Sequence, residues 1–161
     1  MNQVVKDFAC ILIVFGFCAL FVYGAVGGSW PSELGVQPGK GDQNKLLTDT
    51  EFTERFESWA ALVAAVSLVC SLGWYVLGEW GPRSKSTGGG WLFAWIGLLL
   101  VVLLAVIVAF FWGPPASENG WVLDGFFAAI GLFFFYVATA LFSPTNTKYV
   151  VPGSTVLRKG W

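Results

Sequence analysis

The sequence predicts an all-α integral membrane protein, an up-down bundle of four transmembrane helices with both termini in the cytoplasm. Three observations predict it. The 161-residue chain is 56% hydrophobic and only 12% charged, about half the charged share of an ordinary soluble domain. Its apolar residues are gathered into four long runs, 8–26, 58–77, 91–112 and 121–142, in which the only formal charge is Asp124. Such runs suit a membrane, because roughly 20 residues of helix cross about 30 Å of hydrocarbon. The basic residues, finally, are divided unevenly between the two sets of loops.

Each run is read as helix because a lipid-exposed segment must satisfy its own backbone hydrogen bonds. Barrel strands would be shorter and would alternate polar with apolar residues. The first run, 19 residues, exceeds the ~7–15 residues of a signal-peptide core and predicts a retained span.

With four spans, the N-terminus, the 78–90 loop and the 143–161 tail share one side. That side holds Lys6, Arg83, Lys85, Lys148, Arg158 and Lys159; the other holds Lys40, Lys45 and Arg55. Basic residues in short loops favour the cytoplasm, which makes 27–57 an extracytoplasmic loop and 143–161 a cytoplasmic tail. The whole chain, 1–161, reads as a single four-helix transmembrane domain, placed in a bacterial inner membrane by its compactness.

The 27–57 loop changes character midway. Gly27 to Gly41 is rich in Gly, Pro and Ser and is expected to be irregular. Thr48-Asp49-Thr50-Glu51 then has the spacing of a capping box, and Phe52, Phe56 and Trp59 share one helical face. The second helix is therefore expected to start near Thr48, outside the hydrocarbon, and to run about 30 residues. Trp112 and Trp121 flank the short 113–120 loop, and Trp80 and Trp91 flank the 78–90 loop, as an interfacial aromatic belt requires. Aromatic stacking on a quinone or pigment is the alternative reading of the tryptophans.

The stretch GEWGPRSKSTGGGW at 78–91 has the composition of a phosphate cradle but not its order. A P-loop needs Gly-Lys-Ser/Thr after its four-residue spacer, between a strand and a helix. Here Lys85-Ser86-Thr87 precedes the glycines, between two membrane helices. Arg83 and Lys85 read as topology determinants facing anionic headgroups.

Small residues let helix backbones approach in lipid. The second helix carries Ala60, Ala64, Ser67 and Ser71 at spacings of 4, 3 and 4. The fourth offers Gly125, Ala128 or Ala129, and Gly131. The third is Leu, Val, Ile and Ala around its circumference. The second helix is expected to be the hub and the third to lie outside it.

The chain has no histidine, which removes His-ligated haem and His-based metal sites. The three cysteines, Cys10, Cys18 and Cys70, lie within spans and read as packing residues. No acid or base lies at mid-membrane depth, where proton relays and coupling-ion sites place them. Asp124, close to the interface, and Tyr136, placed near mid-depth and wanting a buried partner, are the candidate functional polar residues. The six outer-loop acids between Glu33 and Glu57 do not follow an EF-hand spacing.

The tail reads as two extended pieces, 148–152 and 154–158, around Pro152-Gly153. Nothing in it has the bulk to bury itself, so Tyr149, Val151, Leu157 and Trp161 are expected to engage neighbouring subunits. The topology is also that of claudin-like tetraspan proteins. Those carry a tryptophan-rich motif with paired cysteines in the first loop, and this loop has Trp30 without cysteine, so the family is not assigned. The functional expectation is a small non-catalytic accessory or scaffold subunit of a larger membrane complex, with lipids and other membrane subunits as partners, no nucleic acid and no cofactor. A small oligomeric channel or transporter, and a membrane-embedded lipid- or quinone-handling enzyme, are the alternatives.

Overall fold

The computed structural model describes residues 3–27, 36–40, 48–80, 89–144, 147 and 149–157. Four helices are long and apolar enough to cross a membrane. They are α1 (Gln3–Gly27), α2 (Asp49–Trp80), α3 (Gly89–Trp112) and α4 (Gly120–Leu141). A two-stranded sheet, β1 (Gln37–Pro38) with β2 (Ala116–Glu118), and a one-turn helix α5 (Ser154–Leu157) complete the described elements.

Helix α2 starts where its capping box places it. The Thr48 amide and hydroxyl both donate to Glu51 Oε2 at 2.9 Å, and the Glu51 amide donates to Thr48 Oγ1 at 3.3 Å. This pays two of the donors that a helix start leaves open. At 32 residues, α2 is about 48 Å long, well beyond the hydrocarbon thickness. Its extra length carries Phe52 and Phe56, both buried together with Val36, Leu123 and Phe127. The Phe56 ring lies 5.4 Å from that of Phe127.

Above these rings sits the sheet, which the sequence reading did not anticipate. Gln37 faces Glu118 and Pro38 faces Ala116 in antiparallel register. The Gly39 amide donates to the Pro115 carbonyl at 2.7 Å, and a Cβ on Gly39 would lie 2.7 Å from that same oxygen. Only glycine fits this crossing. The sheet thus joins the two loops at one end of the bundle, and part of the segment expected to be irregular is ordered by pairing. Asn119 then enters α4 in the left-handed region (φ 53°), a conformation that Asn tolerates better than most residues.

Helices α2 and α4 form the centre of the bundle, with α1 and α3 on either side. Helix α1 buries Ile11, Phe15, Cys18 and Val22 at helical spacing and exposes Leu12, Ile13, Phe17 and Leu20. One core cluster joins α1, α2, α4 and the end of α3; a second joins α2, α3, the later part of α4 and the tail. Helix α3 lies outside this centre, as expected, but its character needs correcting. It is no featureless outer helix, for Trp95, Val102, Val106 and Ala109 are buried along one face. Its seam is built from Val and Ala, which composition alone does not distinguish from a lipid face.

Helix α4 is not regular throughout. Five residues, Ala129–Phe133, are wound as a π-helix. At their centre Gly131 is buried, and a Cβ there would lie 2.7 Å from Val106 Cγ2 and 3.0 Å from Val63 Cγ1. Three helices meet at this point. The close approach is therefore at Gly131 and not at Gly125, which is exposed with nothing within 4 Å of a Cβ position. Replacing Gly131 with Leu is expected to cost about 1–3 kcal/mol in detergent unfolding followed by tryptophan fluorescence. The same change at Gly125 is expected to stay within about 0.5 kcal/mol of the parent.

The tail also departs from expectation. It forms turns followed by α5, with Thr147 donating its amide to the Pro144 carbonyl and Ser154 to the Val151 carbonyl. Thr147, Val151 and Ser154 are buried. Thr147 and Pro144 lie against Gly78 of α2, where a Cβ would be 2.7 Å from Thr147 Oγ1. The protein's own bundle holds this segment, so its order is no argument for a neighbouring subunit.

Candidate functional site

The groups in the bundle that could carry chemistry are the hydroxyls, indoles and carboxylates that its helices turn toward one another. They form a polar seam along α2 and α4. Ser67, fully buried, donates its hydroxyl to the Gly131 carbonyl at 2.9 Å. That carbonyl also accepts the Phe134 amide, so both of its lone pairs are used. A π turn displaces carbonyls from the regular ladder, and Ser67 gives the Gly131 carbonyl a second donor. Ser71 donates back to the Ser67 carbonyl at 2.8 Å. Ala60 is buried beside Val63, and Ala64 is half-buried on the same helix.

One to two turns further along, the seam becomes a relay of indoles and hydroxyls. Trp95 Nε1 of α3 donates to Thr139 Oγ1 at 3.1 Å, and Thr139 Oγ1 donates to the Phe135 carbonyl at 2.9 Å. The Ser143 hydroxyl donates to the Thr139 carbonyl. Trp74 Nε1 of α2 donates to Ser143 Oγ at 2.8 Å. Thus α2 and α3 are each pinned to α4 by an indole, the donor a large aromatic group retains when buried. The Trp95 ring stacks on Phe135 at 6.0 Å, and Trp91 meets Trp74 edge-on at 6.2 Å. Trp91, expected in the interfacial belt, is half-buried and belongs to this cluster; Trp80 is exposed.

A third tie closes the same end. Tyr75 of α2, almost fully buried, donates its hydroxyl to Asp7 Oδ2 of α1 at 2.9 Å, with Phe8 edge-on to its ring at 4.9 Å. Asp7 stands one residue before the first apolar run and was outside the sequence-derived candidates. A phenol fully inside a span needs an acceptor, and that need was the available signal.

Tyr136 requires a correction. Its hydroxyl finds no mid-membrane partner; it donates to the Pro152 carbonyl of the tail at 2.6 Å. Gly153 adopts φ 78°, and a Cβ there would lie 2.6 Å from the Tyr136 oxygen. Tyr136 and Gly153 together latch the tail. Val151 packs into the Trp74–Trp95 cluster; the Tyr149 side chain is exposed. Arg83, Lys85 and Trp161 lie outside the described residues, as does the side chain of Leu157.

Asp124 stands apart from the seam. It is half-buried near the start of α4. Gly125 beside it is open, with nothing within 4 Å of a Cβ position, and Ala129 is half-buried.

Chemically, the seam ties helices together. Its hydroxyls donate to main-chain carbonyls and its indoles to hydroxyls. Among the described residues no group of three or more His, Cys, Asp or Glu is arranged to hold a metal ion. The chain matches no protein-family model, and no curated protein or solved structure is significantly similar to it.

Two outcomes follow. Ser143→Ala leaves the Trp74 indole without its acceptor and should lower stability by about 0.6–1.7 kcal/mol, the range of interhelical hydrogen bonds in lipid, read from detergent unfolding curves. Tyr136→Phe should free the latch. Amides of Ser154 and Val156 should then exchange with solvent roughly tenfold faster in mass-resolved hydrogen exchange, with the spans unchanged.

Proposed function

We propose that the protein is a small non-catalytic accessory or scaffold subunit of a larger membrane complex, with both termini in the cytoplasm of a bacterial inner membrane. One observation supports this reading above the others. The buried hydroxyls and indoles of the described bundle are engaged in holding it together: Ser67 on Gly131, Trp95 on Thr139, Trp74 on Ser143 and Tyr75 on Asp7. A conduction path needs polar groups turned to a water-filled lumen, and an enzyme site needs them converging on a substrate. Here Ser67 and Ser71, the residues that a channel would have used, are buried and donate to backbone carbonyls.

The outward faces support the same reading. Helix α3 presents Phe93, Phe110, Phe111 and Trp112, broad apolar surface suited to lipid and to other membrane subunits alike. The membrane orientation rests on the basic residues of the terminal side, as the positive-inside bias requires.

Purification of the full chain from its native membranes in mild detergent tests the reading. Larger membrane subunits should remain bound in fixed stoichiometry. A homogeneous homo-oligomer that conducts ions or moves solute when placed in liposomes would overturn it, and an absorbance spectrum of the same sample would reveal a pigment.

A further inference from the structure

Past the end of α4 the chain turns back and lies against the bundle it has just left. Pro144 and Thr147 sit on Gly78 of α2, one turn from Trp74 on the same helix face. Val151 enters the cluster of Trp74 and Trp95. The Tyr136 hydroxyl donates to the Pro152 carbonyl at 2.6 Å. The described tail, residues 147 and 149–157, is thus a strap across one end of the α2–α4 junction, beside the buried bond from Trp74 to Ser143.

Strap and bundle are held by separate means. The ties from Ser67 to Gly131, Trp95 to Thr139 and Trp74 to Ser143 all lie before Pro144, so none of them needs the strap in place. The strap, by contrast, is thinly anchored. Thr147, Val151 and Ser154 are buried, whereas Tyr149, Pro152, Gly153, Thr155 and Val156 are exposed. A few buried groups stand against the conformational entropy of about ten ordered residues. Segments with few buried apolar contacts open at lower free energy than the core they rest on. The backbone bonds of the strap each span three residues: Thr147 to Pro144, Val150 to Thr147, Ser154 to Val151 and Val156 to Gly153. Such single turns do not persist without an anchor.

The anchor has a strict geometry. Gly153 holds φ 78°, and a Cβ there would lie 2.6 Å from the Tyr136 oxygen. A side chain at 153 therefore opposes the closed position twice, through the backbone and through the contact. Gly153 is itself exposed, so the change touches no contact between the long helices.

We infer that this strap is a lid that opens as one unit while the four long helices stay folded, with the Tyr136–Gly153 contact as its catch. Closed, it keeps water from Gly78 and from the buried face of Thr147; open, it uncovers that end of the α2–α4 junction. Such a lid works in the single chain, whether or not a larger assembly forms around it.

The test follows the full chain in mild detergent by two readouts. The first is hydrogen exchange at the amides of Thr147, Val150, Ser154 and Val156. The second is labelling of Thr147→Cys with a water-soluble maleimide. Thr147 is fully buried, so the reagent reaches this position when the lid is open. The parent chain, whose three cysteines lie in the long helices, sets the background. The four amides should share one opening equilibrium, at least about a hundredfold more open than amides in the middle of α2. Gly153→Ala should speed all four, and the labelling, by one common factor of about ten or more, with the detergent unfolding midpoint of the bundle unchanged. Tyr136→Phe, which removes the catch from the other side, should act in the same direction. Four unrelated exchange rates that neither variant moves, exchange of the strap only together with the long helices, labelling at the background rate in both variants, or a matching loss of bundle stability would each overturn the inference.

Discussion

The contact at Gly131 is the constraint on which the rest of the bundle depends. In water, helices are driven together by burial of apolar surface; in lipid that drive is absent, and close packing and hydrogen bonds must replace it. Gly131 supplies both. Its missing side chain admits Val63 of α2 and Val102 and Val106 of α3 to van der Waals range, and its carbonyl receives the Ser67 hydroxyl. The π turn around it sets the rotation of everything that follows in α4. Thr139 then meets Trp95, Ser143 meets Trp74, and Tyr136 is turned to the tail. An extra or missing residue in the Ala129–Phe133 turn would rotate all three by about 100°.

The two ends of the molecule are closed by different means. At one end a short sheet bridges the loops above Phe52 and Phe56, with Gly39 crossing Pro115. At the other, the tail folds back, buries Val151 and is latched by Tyr136. Both closures use backbone polar groups outside the spans. The four helices can thus remain regular, apart from the π turn, while the chain still returns on itself.

Much of the architecture was legible because lipid imposes a coarse code. Run length announced the spans, and the Thr48/Glu51 spacing announced the start of α2 about ten residues before its apolar run. The rest depended on relations that one sequence does not display. Strands of two and three residues, Gln37–Pro38 and Ala116–Glu118, are too short to alternate. The indole ties join residues 69 and 44 positions apart, and nothing local marks Trp74 or Trp95 as different from a belt tryptophan. Gly125 and Gly131 both read as small packing residues, yet six positions place them on different faces of a helix. Structure was needed to show that one is inside and the other open. Asp124 was visible as the single charge in the runs.

A double-mutant cycle between Ser67→Ala and Gly131→Ala, measured by detergent unfolding of the full chain, tests the central contact most directly. A Cβ at position 131 would force α4 away from Val106 and Val63 and so break the Ser67 bond on its own. The account predicts that Ser67→Ala adds little once Gly131→Ala is present, a coupling of about 0.5 kcal/mol or more. Additive losses, with Ser67→Ala costing the same in both backgrounds, would contradict it.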